Sequence, residues 1–224
     1  MKNSYPTITT AFVLFILTLV SAPASSQLSL GLTFQKVESR ATPGSRILGT
    51  PDGRFAYEFG FNSEQTPISV GLSLYKSFTK LYFNTDIMYR QTSSRYMVRD
   101  YFEEIRPQAQ YIVQKEQQLH IPVTAGVNFR NLKIGVGAFF NVNFDSDMAL
   151  SKAYPFEDKN RKLDSGMIIS AGYKMFNRVL VHARYEKGFV NVGNSIYYNQ
   201  VSTRIRSCMS NLTVGVTLYP LGMD

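Results

Sequence analysis

Leu28-Ser-Leu-Gly-Leu-Thr-Phe-Gln35 is apolar at every even position and small or polar at every odd one. A period of two sends successive side chains to opposite faces of a strand, so this stretch carries one greasy face and one polar face. The pattern recurs along the chain. Ile68, Val70, Leu72 and Leu74 alternate with Ser69, Gly71, Ser73 and Tyr75. Leu81, Phe83, Thr85, Ile87 and Tyr89 alternate with Tyr82, Asn84, Asp86, Met88 and Arg90. Leu119, Ile121, Val123, Ala125, Val127 and Phe129 alternate with His120, Pro122, Thr124, Gly126 and Asn128. A fifth segment sets Leu132, Ile134, Val136, Ala138, Phe140, Val142 and Phe144 against Lys133, Gly135, Gly137, Phe139, Asn141 and Asn143. Residues 167–175, 179–189 and 212–218 complete a set of eight.

Eight such strands suit a soluble sandwich, a lipocalin-like barrel or a membrane barrel, and the connections choose among them. Segments two and three, four and five, and six and seven are joined tightly, near residues 77–79, at Arg130-Asn131 and at 176–178. The other connections, roughly 36–66, 92–117, 145–163 and 191–210, are long and polar. Short turns at one end and long loops at the other are the signature of outer-membrane barrels, whose termini lie on the periplasmic, short-turn side. If alternate strands run outward, their far ends on the apolar face are Phe34, Tyr89, Phe144 and Phe189, an aromatic girdle at headgroup depth. Phe129 and Tyr173 begin a second girdle at the opposite end. The expected fold is all-β, an eight-stranded antiparallel up-and-down transmembrane β-barrel. Phe55-Ala-Tyr-Glu-Phe-Gly-Phe61 and Gln110-Tyr-Ile-Val113 also alternate, so a lengthening of strands above the membrane and a ten-stranded barrel stay open.

The first 26 residues read as a secretory signal peptide. One Lys precedes the ten-residue apolar core 11–20, and Ala22-Pro-Ala-Ser-Ser26 supplies small residues for cleavage before Gln27. The core is about half a bilayer span, too short for a membrane anchor. The barrel domain is then 27–224, exported to the bacterial outer membrane.

Composition narrows the function. With 24 Lys+Arg against 16 Asp+Glu the formal charge is +8, yet export disfavours nucleic acid as a partner. A single cysteine, Cys208, excludes an intrachain disulfide and any multi-Cys metal site, and reads as a buried bystander. Two histidines leave little for a His-ligated metal. Mean hydropathy of −0.12 suits a barrel, which needs only one apolar face per strand.

Four stretches carry a family resemblance. His120-Ile-Pro-Val-Thr-Ala-Gly-Val-Asn-Phe129, Leu132-Lys-Ile-Gly-Val-Gly-Ala-Phe-Phe140, Asp164-Ser-Gly-Met-Ile-Ile-Ser-Ala-Gly-Tyr173 and Val181-His-Ala-Arg-Tyr-Glu-Lys-Gly-Phe189 resemble successive strands of the PorT-like outer-membrane β-barrel family of Bacteroidetes. The similarity spans about residues 66–219. It implies an eight-stranded outer-membrane barrel and, through the family's namesake, a part in the secretion and maturation of surface proteins by the type IX pathway. The chain departs from the pattern at its end, where Tyr219 is followed by Pro-Leu-Gly-Met-Asp in place of a terminal aromatic residue.

In an eight-stranded barrel the lumen is just wide enough for side chains to fill it. The inward face carries Asp86, Arg90, His120, His182, Arg184 and Glu186. Buried charges persist only when paired, so the expected lumen is a polar network, structural in role, in which Arg184 and Glu186 meet Asp86, Arg90 or Lys133. His120 is expected at the rim or in the lumen beside Pro122. A hydrolytic reading needs Ser and His within hydrogen-bond reach of each other and of water. His182 with Ser170, one strand away, is the only such arrangement, and it lies deep. Gly135 and Gly137 form no dinucleotide fingerprint, since Phe140 stands where a third Gly belongs, and serve to admit bulky neighbours. No catalytic residue, cofactor or metal is expected.

The expected role is non-enzymatic, structural or accessory, with a narrow channel or ligand-binding barrel for small solutes as the alternative. Lys152, Lys159, Arg161, Lys162, Arg204 and Arg206 gather in the last two long loops. A cationic rim of this kind suits lipopolysaccharide phosphates. Outer-membrane lipids, lipopolysaccharide and secretion-machinery proteins are the partners considered.

Overall fold

A computed structural model describes residues 28–40, 45–49, 55–65, 68–101, 108–146, 157–159, 163–189, 195–198, 201–204 and 210–223. The signal segment, Cys208, Lys152, Arg161, Lys162 and Arg206 lie outside the described residues.

The barrel strands are β1 (Leu28–Arg40), β2 (Ile68–Phe78), β3 (Leu81–Asp100), β4 (Gln110–Phe129), β5 (Leu132–Ser146), β6 (Leu163–Met175), β7 (Val179–Gly188) and β8 (Ser210–Leu218). Each pairs antiparallel with the next, and β8 closes on β1 through pairs such as Val216 with Phe34. Closure leaves no unpaired edge, which is what a sheet in hydrocarbon requires.

Alternation fixes which face turns where. Leu30, Leu32, Phe34, Val70, Leu72, Ile87, Val136, Ile169, Val214 and Val216 face outward and are exposed, while Thr33, Gln35, Ser73, Asp86, Thr124, Arg184 and Thr217 face inward and are buried. This inverts the order of a water-soluble protein, in which large apolar side chains are inside. Phe34, Tyr89, Phe144 and Phe189 stand exposed toward the long-loop end, with the Tyr89 and Phe144 rings 6.2 Å apart. Phe129 and Tyr173 are exposed at the other end.

The tight turns fall at Thr79-Lys80, Arg130-Asn131 and residues 176–178. Thr79, Arg130, Phe176 and Asn177 have φ of 37°, 56°, 51° and 55°, the left-handed backbone whose twist matches that of the flanking strands. After β8 the chain turns across this mouth of the barrel. Tyr219 N donates to Arg178 O at 2.7 Å and Met223 N to Asn177 O at 2.7 Å, with Gly222 at φ +91° making the bend. Residues 219–223 thus fold back onto the barrel.

The long connections hold more strand than the sequence pattern suggested. β3 and β4 continue through 92–100 and 110–117, parts of which were expected as loop, and remain paired from Arg90 with Gln118 to Val98 with Gln110. A strand at Phe55–Gln65 pairs with the outer half of β3, and a further strand at Ser45–Gly49 pairs with it. The strands are therefore lengthened and a hairpin is added as an outgrowth of one wall, while the barrel itself stays eight-stranded and the ten-stranded alternative is not realised. Arg99 binds Glu58 at 2.8 Å on this outgrowth, and the Arg95 guanidinium lies 4.3 Å from the Tyr111 ring centre. Residues 157–159, 195–198 and 201–204 form a small separate sheet.

Candidate functional site

Three levels of inward side chains fill the lumen. Nearest the tight turns, Tyr75 of β2, Tyr82 of β3, Leu180 of β7, Tyr219 and Met223 form a buried cluster. Tyr75 lies 5.9 Å from Tyr82 and 6.0 Å from Tyr219 between ring centres. Close centroid distances of this kind add to the burial energy of each ring. Lys133 of β5 donates to the Tyr75 hydroxyl and, at 3.0 Å, to Asn128 Oδ1.

The second level is held by charge. Arg184 of β7 reaches Asp86 of β3 at 2.6 Å. Asp86 also accepts from Asn84 Nδ2 at 3.0 Å, Ser73 donates to Asn84 Oδ1 at 3.1 Å, and the Tyr219 hydroxyl lies 3.0 Å from Ser73 Oγ. This chain ties the C-terminal tyrosine to the ion pair.

The third level centres on Glu186 of β7. Its carboxylate lies 3.0 Å from His120 Nε2 of β4 and 3.6 Å from Arg90 of β3, and accepts from Asn211 Nδ2 at 3.3 Å. His120 Nδ1 lies 2.6 Å from Asn141 Oδ1, and the His120 ring is 5.7 Å from Phe139 between centres. Arg90 Nε donates to Ser69 Oγ at 3.1 Å. Low dielectric strengthens each of these bonds and penalises any group left out.

The structure thus brings Asp86, Arg90, Arg184 and Glu186 together in two pairs. It does not bring Lys133 to either carboxylate: its partners are Tyr75 and Asn128, because β5 places it at the tyrosine level, below both. His120 sits fully buried on Glu186 rather than at the rim. His182 is buried at 4% exposure, with Nε2 turned toward Gly215, where an added Cβ would come within 2.7 Å of it. Ser170 donates to Gly135 O at 3.3 Å and lies 3.4 Å from the Tyr82 hydroxyl, so no described bond links it to His182. Asn84, Asn141, Asn211 and Tyr219 were not singled out from sequence, although their parity marked all but Tyr219 and Asn211 as inward.

Gly135 leaves the space that the Tyr82 hydroxyl occupies, since a Cβ there would collide with it. Gly137 instead lies against the backbone of Val123 and Thr124. Among the described residues no group of three or more His, Cys, Asp or Glu is placed to hold a metal ion.

A closed sheet with an apolar girdled exterior and a polar interior defines a β-barrel protein of the bacterial outer membrane. The chain belongs to the family described as outer membrane protein beta-barrel domain, whose model matches residues 25–194. The crystal structure of the outer membrane protein OprG from Pseudomonas aeruginosa is similar, with a TM-score of 0.51 at 12% identity over 88% of this chain and 93% of OprG. The solid-state NMR structure of outer membrane protein AlkL in DMPC bilayers is similar with a TM-score of 0.50 at 11% identity, over 88% of this chain and 92% of AlkL. Identities this low carry the fold alone. No curated protein matches the chain.

Proposed function

We propose that this protein is a non-enzymatic, non-conducting outer-membrane barrel whose long-loop end serves as an anchored platform in an accessory role. One observation carries the reading: side chains from opposite walls meet inside the lumen, Arg184 on Asp86 and Glu186 on both Arg90 and His120, above a mouth filled by Tyr75, Tyr82, Tyr219 and Met223. A plug fixed by charge makes the wall rigid and leaves the outgrowth of β3, β4 and Phe55–Gln65 as the part offered to partners.

In this reading the tight turns and both termini are periplasmic and the long loops external, following the asymmetry of outer-membrane barrels. Lipid and lipopolysaccharide contact the girdled exterior. The resemblance to the PorT-like family supports secretion-machinery proteins as the partners of the platform. Deleting the gene in the source organism and comparing secreted and surface-attached proteins with the parent tests this role. Unprocessed cargo accumulating in the periplasm, reversed by complementation, is the expected result; an unchanged surface proteome overturns the export role.

The second reading is a narrow barrel for small solutes, for which the polar inward face of the strands is the supporting observation. It requires steady unitary openings from the pure protein.

A further inference from the structure

The outgrowth of one wall is a sheet with two edges, and they differ. One edge, Ser45–Gly49, lies beside Val201–Arg204 of the small separate sheet. The other is the outer end of β4. β5 accompanies β4 only as far as Glu116, which pairs with Ser146. Beyond that point Tyr111-Ile-Val-Gln-Lys115 pairs with β3 alone among the described residues.

Alternation decides which backbone groups this edge offers. Asn128 N donates to Lys80 O, and the register between β3 and β4 holds without a shift from Leu81 with Val127 to Val98 with Gln110. Even-numbered residues of β4 therefore bond to β3, and the odd-numbered Tyr111, Val113 and Lys115 turn N–H and C=O to the open side. Folded proteins blunt such edges with Pro, a bulge or a covering element. This stretch contains neither Pro nor Gly, and its register is unbroken. The outward side chains suit contact too. Tyr111 and Val113 are 49% and 48% exposed. Arg95, on β3 opposite Val113, is exposed with its guanidinium 4.3 Å from the Tyr111 ring centre, and Lys115 is exposed on the same face. Tyr and Arg are the residue types that carry binding energy at interfaces.

We propose that the edge at Tyr111 to Lys115 takes an extended segment of another protein as an added antiparallel strand, with carboxylates of that segment set against Arg95 and Lys115. This rests on the reading of the outgrowth as a platform for protein partners, and it names how a partner is held. Main-chain bonds to Tyr111, Val113 and Lys115 supply affinity, and the cations on the outward face select acidic segments. The stretch spans about 17 Å, an ordinary strand length. A second copy of the chain does not fit: barrels in one membrane share one inside–outside orientation, so their copies of β4 run the same way and cannot pair antiparallel.

Full-length protein folded in detergent micelles is tested with a blocked decapeptide of alternating Thr and Glu, and with one of alternating Thr and Lys as the comparison. Amide hydrogen exchange at Tyr111 and Val113, followed by NMR, should slow about tenfold or more with the acidic peptide and stay unchanged with the basic one. Val113→Pro removes an edge N–H that β3 does not use and should abolish the protection at Tyr111. Should that variant fail to fold, Arg95→Glu/Lys115→Glu should reverse the preference, so that the basic peptide protects and the acidic one does not. No protection with millimolar acidic peptide, or equal protection by both peptides, overturns the proposal. Protection of wild type without peptide that disappears on dilution means that a second copy holds the edge, and overturns it too. The assay uses pure protein, so the strand site and the export role stand or fall separately.

Discussion

Arg184 and Asp86 stand on β7 and β3, diametrically opposite strands of the barrel, and their side chains meet at 2.6 Å. An ion pair across the full diameter fixes two walls against each other, which lateral hydrogen bonds alone do not do. Glu186 and Arg90 repeat the crossing one level further from the tight turns, with His120 joining from β4.

Breaking the crossing from one side leaves a buried charge alone. Arg184→Met or Asp86→Asn should each destabilise the folded barrel by about 3–5 kcal/mol, while the double variant should cost less than the sum of the two. Reversible denaturant unfolding in lipid vesicles, followed by tyrosine fluorescence, gives all three values and the coupling between them.

The lipid face responds to the opposite substitution. Val136 is 64% and Leu72 50% exposed, and both point to the bilayer from near the middle of their strands. Arginine at either position should destabilise the barrel by roughly 2–4 kcal/mol, measured by the same unfolding curves. Variants that fold and insert like wild type at both sites would show that the faces are assigned the wrong way round.

The C-terminal tyrosine separates packing from hydrogen bonding. Tyr219 is fully buried, with its hydroxyl on Ser73 and Asn84. Tyr219→Phe keeps the ring and should cost about 1 kcal/mol, whereas Tyr219→Ala opens the cluster and should cost about 3–5 kcal/mol. The temperature at which the heat-resistant gel band converts to the unfolded one ranks the two.

A methyl group tests how closely neighbouring strands approach. At Gly137 an added Cβ would run into the backbone of Val123 on β4, which unlike a side-chain tip cannot swing aside. Gly137→Ala should destabilise by about 1–3 kcal/mol in the same unfolding assay. Unchanged stability would show that β4 and β5 are further apart than the structure places them.

The barrel was legible because a polar lumen and hydrocarbon make opposite demands on alternate residues, so Leu28 to Gln35 declares both faces at once. The outer halves of β3 and β4 were harder to read, since residues 92–100 and 110–117 lie beyond the girdle of Tyr89 and Phe144 and lose that contrast. Parity also marked Asp86, Arg90, Arg184 and Glu186 as inward. It did not give their heights, which depend on how far each strand is staggered against the next, and so Lys133 counted equally with Arg90 as a partner for Glu186. His120 shows the same gap: it shares a wall with the inward residues of β4, and only the register puts it level with Glu186. Tyr219 lay past the last alternating segment, where no pattern announces that the chain turns back into the mouth.

The sealed lumen is tested most directly by planar-bilayer recording from pure, folded wild-type protein, with Arg184→Ala/Asp86→Ala recorded alongside. No unitary openings are predicted from wild type under voltages that the bilayer withstands. Steady, reproducible openings from wild type would contradict the plug and establish the small-solute barrel in its place.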